Sequence, residues 1–186
     1  VLTVYDSSNL DLASARLTKS QEEAVEQGPQ VEQDLPIIFN EYCTTWGCPS
    51  HENILRILDK IKGKGFTYFV IDCGWYKEAG VPWDISMGDY QVSKDLFPEG
   101  LEKTVSAIKE AGLKPGIWFE FENVGHASRA FHNTEHLLKL DGFPLTTSRR
   151  RFWDLNDPWV IEYLDEHVIQ MLKKYGFEYL KVDYND

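Results

Sequence analysis

A lysine and an aspartate stand two positions apart near the end of the chain, as Lys181 and Asp183 in the stretch YLKVDYND. The apolar residues around them, Tyr179, Leu180 and Val182, suit a buried parallel strand, on which residues two apart point to the same face. Removing a charge from water is costly unless the charge is paired or used, so this pair predicts either a structural ion pair or part of a site.

Polar residues also stand toward the ends of three earlier apolar runs. The runs are PIIFNEY (36–42), YFVIDCGW (68–75) and KPGIWFEFENV (114–124), and the residues concerned are Asn40, Tyr42, Asp72, Cys73, Glu120 and Glu122. If the runs are parallel strands of a barrel, these side chains meet Lys181 and Asp183 at one end. A cavity with carboxylates, one lysine and aromatic faces has what sugar hydrolysis requires: a carboxylate to attack or stabilise the anomeric carbon, and surfaces for stacking.

Amphipathic helical patterns alternate with these runs, over residues 53–61, 101–111 and 157–175. Asp157-Pro158 is a helix cap followed by a proline in the first turn, and Gly176 ends that helix. Four β/α units in alternation predict a parallel sheet with helices outside it, either doubly wound or a (β/α)8 barrel. Because no glycine-rich phosphate loop follows the first strand and the polar residues lie at the strand ends, the barrel is favoured. A complete barrel needs eight strands, so the sequence predicts an α/β fold that is a partial (β/α)8 TIM barrel, about its first four strands.

Residues 1–35 differ from the rest of the chain. VLTVYD predicts a short strand, and a polar helical stretch follows from Leu10 until Gly28-Pro29 ends it. We interpret this segment as a connector from a preceding N-terminal domain, and residues 36–186 as the first half of a catalytic barrel. Two connections, after the second run and from His126 to Arg151, are longer than ordinary loops, and the first carries aromatic residues that indicate a functional loop.

Composition limits the partners. A net charge of -11 repels phosphate backbones and anionic lipids, so we expect no nucleic acid and no membrane, whereas six Trp and nine Tyr favour a neutral polyol. With three cysteines in no framework spacing, no signal peptide and no glycosylation sequon, the sequence predicts a cytoplasmic location. A zinc site on Cys43, Cys48 and Cys73 is disfavoured because no CxxC or histidine partner accompanies them, and we expect no metal or cofactor.

Five motifs appear together in this order: IDCGWY, GDYQVSKDLFPEGL, KPGIWFEFENV, WDLNDPWV and YLKVDYND. Together they resemble the α-galactosidases of glycoside hydrolase family 36, whose clan also contains families 27 and 31. The resemblance covers residues 36–186 and, less closely, the segment before them. It implies a retaining α-glycosidase that acts on terminal α-galactosides through a covalent glycosyl-enzyme.

The resemblance also assigns roles to single residues. Asp183 matches the catalytic nucleophile, and Lys181 matches a lysine that binds sugar hydroxyls beside it. Asp72 matches the first of two adjacent aspartates that bind the far hydroxyls of the sugar. Trp118 matches the tryptophan of the third strand, and Tyr42 stands where the family usually has a tryptophan on the first. These residues, with Cys73 discussed next, form the expected substrate site.

The sequence departs from the family pattern at several positions. Cys73 replaces the second aspartate, which removes a charged hydrogen-bond acceptor and opens N-acetylgalactosamine as an alternative sugar. Glu120 and Glu122 occupy two family glutamate positions, where substrate contact and barrel support are both open. The family acid/base lies on the sixth strand, beyond residue 186. Three further substitutions around the nucleophile change the pocket wall: Val182, Tyr184 and Asp186.

Two other functions stay open at this point. A transglycosylase would use a second sugar in place of water, and the residues of the acceptor side do not lie in this segment. A chain of four barrel strands used alone would instead be an inactive carbohydrate-binding or folding fragment. Because such a sheet has unpaired edges, we expect it to form a homo-oligomer.

Overall fold

A computed structural model describes residues 9–24 and 30–183 of the chain, which divides into two compact units, Val1–Pro36 and Ile37–Asp186. In the first unit, helix α1 spans Leu10–Ala24 and helix α2 spans Gln30–Gln33. The predicted strand VLTVYD and the Gly28-Pro29 helix end lie outside the described residues. Within the described ranges, no helix has both the length and the apolar character needed to cross a bilayer.

The second unit alternates strands and helices. Its described strands are β1 Ile38–Asn40, β2 Tyr68–Ile71, β3 Lys114–Phe119, β4 Asn123–Gly125, β5 Lys139–Leu140, β6 Phe143–Pro144, β7 Thr146–Thr147, β8 Arg150–Phe152 and β9 Tyr179–Val182. Its described α-helices are α3 Tyr42–Thr45, α4 His51–Ile61, α5 Leu101–Glu110, α6 Pro158–Leu164 and α7 Gln170–Tyr175. Short 3-10 helices span Trp83–Ile85 and Ala130–His132, and the π-helical segment Asp165–Ile169 joins α6 to α7.

Four strands form the parallel sheet that the sequence predicts, in the order β1-β2-β3-β9. The register pairs Asn40 with Val70 and Ile71 with Ile117, and it pairs Trp118 with Lys181 across β3 and β9. Each strand is shorter than the apolar run that predicted it, and neighbouring strands run parallel. The carboxyl ends of all four strands therefore lie along one end of the sheet.

Helices α4 and α5 cover the sheet with apolar faces. The buried residues of α4 and α5 include Ile54 and Ile108, both fully buried, and they pack with Phe69 of β2 in one core. The Ser50 hydroxyl caps α4 by accepting a hydrogen bond from the Asn53 N–H at 3.2 Å. Asp157 caps α6 as predicted, because its side chain accepts from the Trp159 N–H at 2.9 Å. The caps fix where each helix begins, and so where the preceding loop ends.

The stretch 114–124 does not form the single strand that the sequence predicts. β3 ends at Phe119, and the chain then turns and forms β4, which pairs antiparallel with β8. The turn is held because the Trp153 N–H donates to the Glu122 carbonyl at 2.9 Å and the Tyr90 hydroxyl donates to the Glu120 carbonyl. The second long connection is also structured, since β4, β8 and β7 form one small sheet and β5 and β6 form a hairpin.

Among the described residues, β1 and β9 each pair with one strand and leave their outer edges open. Ile38 and Val182 on these edges are 37% and 50% exposed. Apolar side chains on an open edge favour pairing with another chain. Self-association of the isolated 186-residue chain is therefore the expected result. Light scattering over a range of concentrations checks it, and a monomer at every concentration would contradict it.

Candidate active site

Lys181 joins two carboxylates at the carboxyl end of the parallel sheet. Its Nζ atom lies 2.8 Å from Oδ2 of Asp72 and 3.6 Å from Oδ2 of Asp183. Asp72 directly follows β2 and Asp183 directly follows β9, so strands on either side of β3 supply the two carboxylates. The structure thus brings together three of the residues that the sequence singled out.

Trp118 of β3 fixes the carboxylate of Asp183. The Trp118 indole Nε1–H donates to Asp183 Oδ2 at 3.0 Å, and Trp118 is 1% exposed. The backbone N–H of Asp183 donates to the Phe119 carbonyl at 2.9 Å, which extends the ladder between β3 and β9 by one residue. The Trp118 ring is itself held, because the Trp75 indole N–H donates to its carbonyl at 2.9 Å. Asp183 therefore sits on rigid backbone beside a hydrogen-bond donor and a cation.

Asp72 has a hydrogen bond at each carboxylate oxygen. Oδ1 accepts from the Cys73 N–H at 2.8 Å, and Oδ2 accepts from Lys181. Cys73 is 1% exposed and its side chain belongs to the core, so in the described residues its thiol lies beneath the site surface. Burial and the negative charge of Asp72 raise the pKa of that thiol, which keeps Cys73 neutral.

Lys181 keeps its positive charge at the site. Burial lowers its pKa, but the hydrogen bond and charge of Asp72, followed by those of Asp183, outweigh burial and raise the pKa above its ordinary value. A charged lysine between two carboxylates offsets part of their mutual repulsion. It can also donate to sugar hydroxyls, because an ammonium group has three donors and no acceptor.

Glu41 belongs to this cluster, although the sequence analysis did not single it out. It is fully buried directly after β1, where Oε1 accepts from the Asp72 N–H at 2.8 Å and Oε2 accepts from the Thr45 hydroxyl. Burial raises its pKa to about 7, against the opposite effect of these hydrogen bonds. The available signal was an acidic residue directly after a predicted buried strand, between Asn40 and Tyr42.

A row of contacting aromatic rings leads from Trp118, which donates a hydrogen bond to Asp183, to the protein surface. Trp83 packs edge-on to Trp118 with ring centroids 5.9 Å apart, Tyr42 packs edge-on to Trp83 at 6.1 Å, and Trp46 packs against Tyr42 at 5.5 Å. Trp46 is 69% exposed and so presents an open ring face. Tyr42 therefore lies in an aromatic wall beside the carboxylates, together with Trp46 and Trp83, which sequence reasoning did not assign to the site.

Glu120 supports the scaffold. It is fully buried, forms an ion pair with Arg150 of β8 at 3.1 Å, and accepts from the Asn123 amide. Glu122 lies in the turn between β3 and β4, and its Oε2 atom is buried without a hydrogen-bond partner. Within residues 9–24 and 30–183, no group of three or more His, Cys, Asp or Glu side chains is arranged to hold a metal ion. Cys43, Cys48 and Cys73 therefore do not form such a group.

The sequence model of the melibiase family matches residues 1–186. Alpha-galactosidase 1 of Pediococcus pentosaceus is 30% identical over the whole chain, and alpha-galactosidase Mel36A of Lactobacillus acidophilus is 28% identical over the whole chain. The chain spans 25% of the length of each of these two relatives. The matches thus concern one segment of much longer proteins.

One solved structure that is similar to this chain is that of the family 36 α-galactosidase AgaB from Geobacillus stearothermophilus. It aligns with 81% of this chain and 21% of its own chain, with a TM-score of 0.72 and 26% identity. The α-galactosidase of Lactobacillus brevis aligns with 80% of this chain and 20% of its own, with a TM-score of 0.67 and 26% identity. The α/β fold described above is therefore similar to one part of family 36 α-galactosidases.

Proposed function

Because the chain belongs to the melibiase family, we propose that it supplies the nucleophile side of the active site of a retaining α-galactosidase. The substrate is an α-galactoside oligosaccharide or a related sugar, with no cofactor. In this proposal, residues 36–186 are the first half of a TIM-barrel catalytic domain whose other strands come from the rest of a full-length protein. Residues 1–35 connect this barrel to a preceding domain.

The observation that carries the proposal is the environment of Asp183. Its carboxylate accepts from the Trp118 indole at 3.0 Å and lies 3.6 Å from Lys181, at the carboxyl end of a parallel sheet. Barrel enzymes place their reacting groups at this end. A carboxylate held by a rigid donor and a neighbouring cation is oriented before substrate arrives, which is what attack on a sugar carbon requires.

In the proposed reaction, an Asp183 oxygen forms a bond to the anomeric carbon while the bond from that carbon to the leaving oxygen breaks. A second carboxyl group, outside the described residues, gives its proton to the leaving oxygen. Water then attacks the same carbon, transfers a proton to that second carboxylate and releases Asp183. Lys181 and Asp72 hold sugar hydroxyls through both steps, and the aromatic wall packs against the apolar face of the sugar.

Hydrolysis of a nitrophenyl α-galactoside by the full-length protein tests the function. Proton NMR during the first turnovers is expected to show α-galactose before mutarotation, because two displacements at one carbon retain its configuration. Initial release of β-galactose, or no turnover with α-galactosides or α-N-acetylgalactosaminides, would contradict the proposal. Adding a sugar acceptor to the same assay reports any transfer product, which separates hydrolysis from transglycosylation.

Cys73 is proposed to influence which sugar is preferred. The Cys73 thiol is buried, but aspartate is longer and charged, so a Cys73→Asp substitution puts beside Asp72 a carboxylate that favours the site surface over the core. There it would accept a hydrogen bond from a sugar hydroxyl more strongly than a thiol. We expect the ratio of kcat/KM for galactoside over N-acetylgalactosaminide to rise by about tenfold, equivalent to one charge-assisted hydrogen bond of about 1.4 kcal/mol. Cys43→Asp is the matched control, because Cys43 is exposed. An unchanged ratio in Cys73→Asp would remove Cys73 from the specificity site.

A further inference from the structure

Glu41 is a fully buried carboxyl group that the proposed reaction does not use. A continuous series of polar contacts starts at its Oε1 atom, which accepts from the Asp72 N–H at 2.8 Å. Asp72 Oδ2 then lies 2.8 Å from Lys181 Nζ, and Lys181 Nζ lies 3.6 Å from Asp183 Oδ2. A change at Glu41 can therefore reach the carboxylate of Asp183 through two groups that are assigned to sugar binding.

We propose that Glu41 is a positioning residue that holds Asp72 and Lys181 in the arrangement that binds the sugar. The inference rests on the proposed function, because it takes Asp72 and Lys181 as the groups that contact sugar hydroxyls. Glu41 has no exposed surface in the described structure, so it acts through Asp72 rather than on the substrate. Its role differs from that of Glu120, which forms an ion pair with Arg150 of β8.

The groups that face Glu41 come from three elements. Asp72 and Cys73 follow β2, Lys181 belongs to β9, and the Thr45 hydroxyl belongs to α3. Burial raises the pKa of Glu41 to about 7; the hydrogen bonds from Thr45 and the Asp72 N–H lower it, the charge of Asp72 raises it, and that of Lys181 lowers it. Below pH 7 Glu41 is therefore neutral, and Asp72 has less competition for Lys181.

Above pH 7, the buried Glu41 carboxyl group ionises and places a second negative charge beside the Asp72 carboxylate. That charge repels the Asp72 carboxylate and attracts Lys181, so the contact between Asp72 and Lys181 weakens. The sugar site is then held less firmly, and sugar affinity decreases. Glutamine at position 41 keeps the size of the side chain and an amide oxygen for the Asp72 N–H, but it does not ionise.

The test measures galactose as a competitive inhibitor of the full-length protein from pH 6 to pH 8.5. In the wild type, the inhibition constant is expected to rise by about three- to tenfold as Glu41 ionises. In Glu41→Gln, it should stay within about twofold over the same range. Because the variant shares every other titrating group, the difference between the two profiles belongs to Glu41. Glu52→Gln, on an exposed site in the first turn of α4, should behave like the wild type.

Thermal unfolding without sugar supplies a second readout. Since the ordinary pKa of 4.5 rises to about 7 on folding, the folded protein binds more protons than the unfolded chain between these pH values. The Tm of the wild type relative to Glu41→Gln should therefore fall as pH rises from about 4.5 to about 7, and stay low above it. This readout separates titration of Glu41 from its effect on sugar binding.

The outcomes distinguish the inference from the proposed function. If the protein hydrolyses α-galactosides and the galactose profiles of wild type and Glu41→Gln overlap, the positioning role is wrong while the function stands. If neither protein binds galactose or N-acetylgalactosamine and neither hydrolyses the corresponding α-glycosides, the proposed function fails, and the role of Glu41 in sugar binding fails with it. A pH-dependent wild type beside a flat Glu41→Gln profile supports both.

Discussion

Replacing Asp183 with alanine in the full-length protein is expected to lower kcat/KM for a nitrophenyl α-galactoside by about 10⁴-fold or more, since the reaction loses its nucleophile. The Trp118 indole and Lys181, which lie 3.0 Å and 3.6 Å from the Asp183 carboxylate, would then have no carboxylate to orient. The substitution removes a carboxylate group, so azide, a small anion, can take the place of the attacking oxygen. Added azide is therefore expected to restore turnover in part and to form a β-galactosyl azide.

The azide product makes this prediction specific to the nucleophile. Azide attacks from the face that Asp183 used, so a single displacement gives the inverted configuration, whereas loss of a structural residue would give no azide adduct. Asp59→Ala is the matched control, because Asp59 is an exposed aspartate on α4, paired with Lys60. Residual activity within tenfold of the wild type in Asp183→Ala would contradict the assignment.

The second large effect is expected at Lys181. Lys181→Met keeps the length of the side chain but removes the cation between Asp72 and Asp183, and so leaves two neighbouring carboxylates without it. The variant also loses the ammonium donors that the proposed function assigns to sugar hydroxyls. We therefore expect kcat/KM to fall by about 10²- to 10³-fold, with part of the loss in KM. Lys181 is 31% exposed, so solvent reduces the accompanying loss of stability.

Two variants control for this effect. Lys181→Arg keeps the charge and should retain more activity than Lys181→Met, although a guanidinium does not reproduce the ammonium geometry. Lys114→Met removes a lysine from the opposite end of the sheet, where Lys114 begins β3 and lies 3.6 Å from Glu178. It should leave kcat/KM within about twofold, as exposed pairs contribute little. Equal losses in Lys114→Met and Lys181→Met would show a stability effect rather than a role in the site.

The parallel sheet could be predicted because its signals are local. Apolar runs alternate with amphipathic helices, and such alternation has few structural solutions. The extent of the strands could not, since Glu120 and Glu122 continue an apolar run yet lie in a turn held by Tyr90 and Trp153, which are distant in sequence. The strands of the second long connection were missed because two or three residues are too few to show a period.

The candidate site also has features that could be predicted from the sequence and features that could not. The proximity of Asp72, Lys181 and Asp183 could be predicted because polar residues at the ends of buried parallel strands are costly without a partner or a use. Glu41 was missed because its significance depends on the register of β1 beside β2, which brings its carboxyl group to the Asp72 N–H. The scaffold role of Glu120 likewise depends on Arg150, a partner that no local pattern identifies.

The most direct test of the central claim is to trap the glycosyl-enzyme in the full-length protein. A mechanism-based fluorosugar slows hydrolysis of the covalent intermediate, and peptide mapping by mass spectrometry then locates the attached sugar. We predict a single label on Asp183, in the peptide that contains YLKVDYND. A label on Glu120 or Glu122, or inactivation without any label on Asp183, would contradict the account.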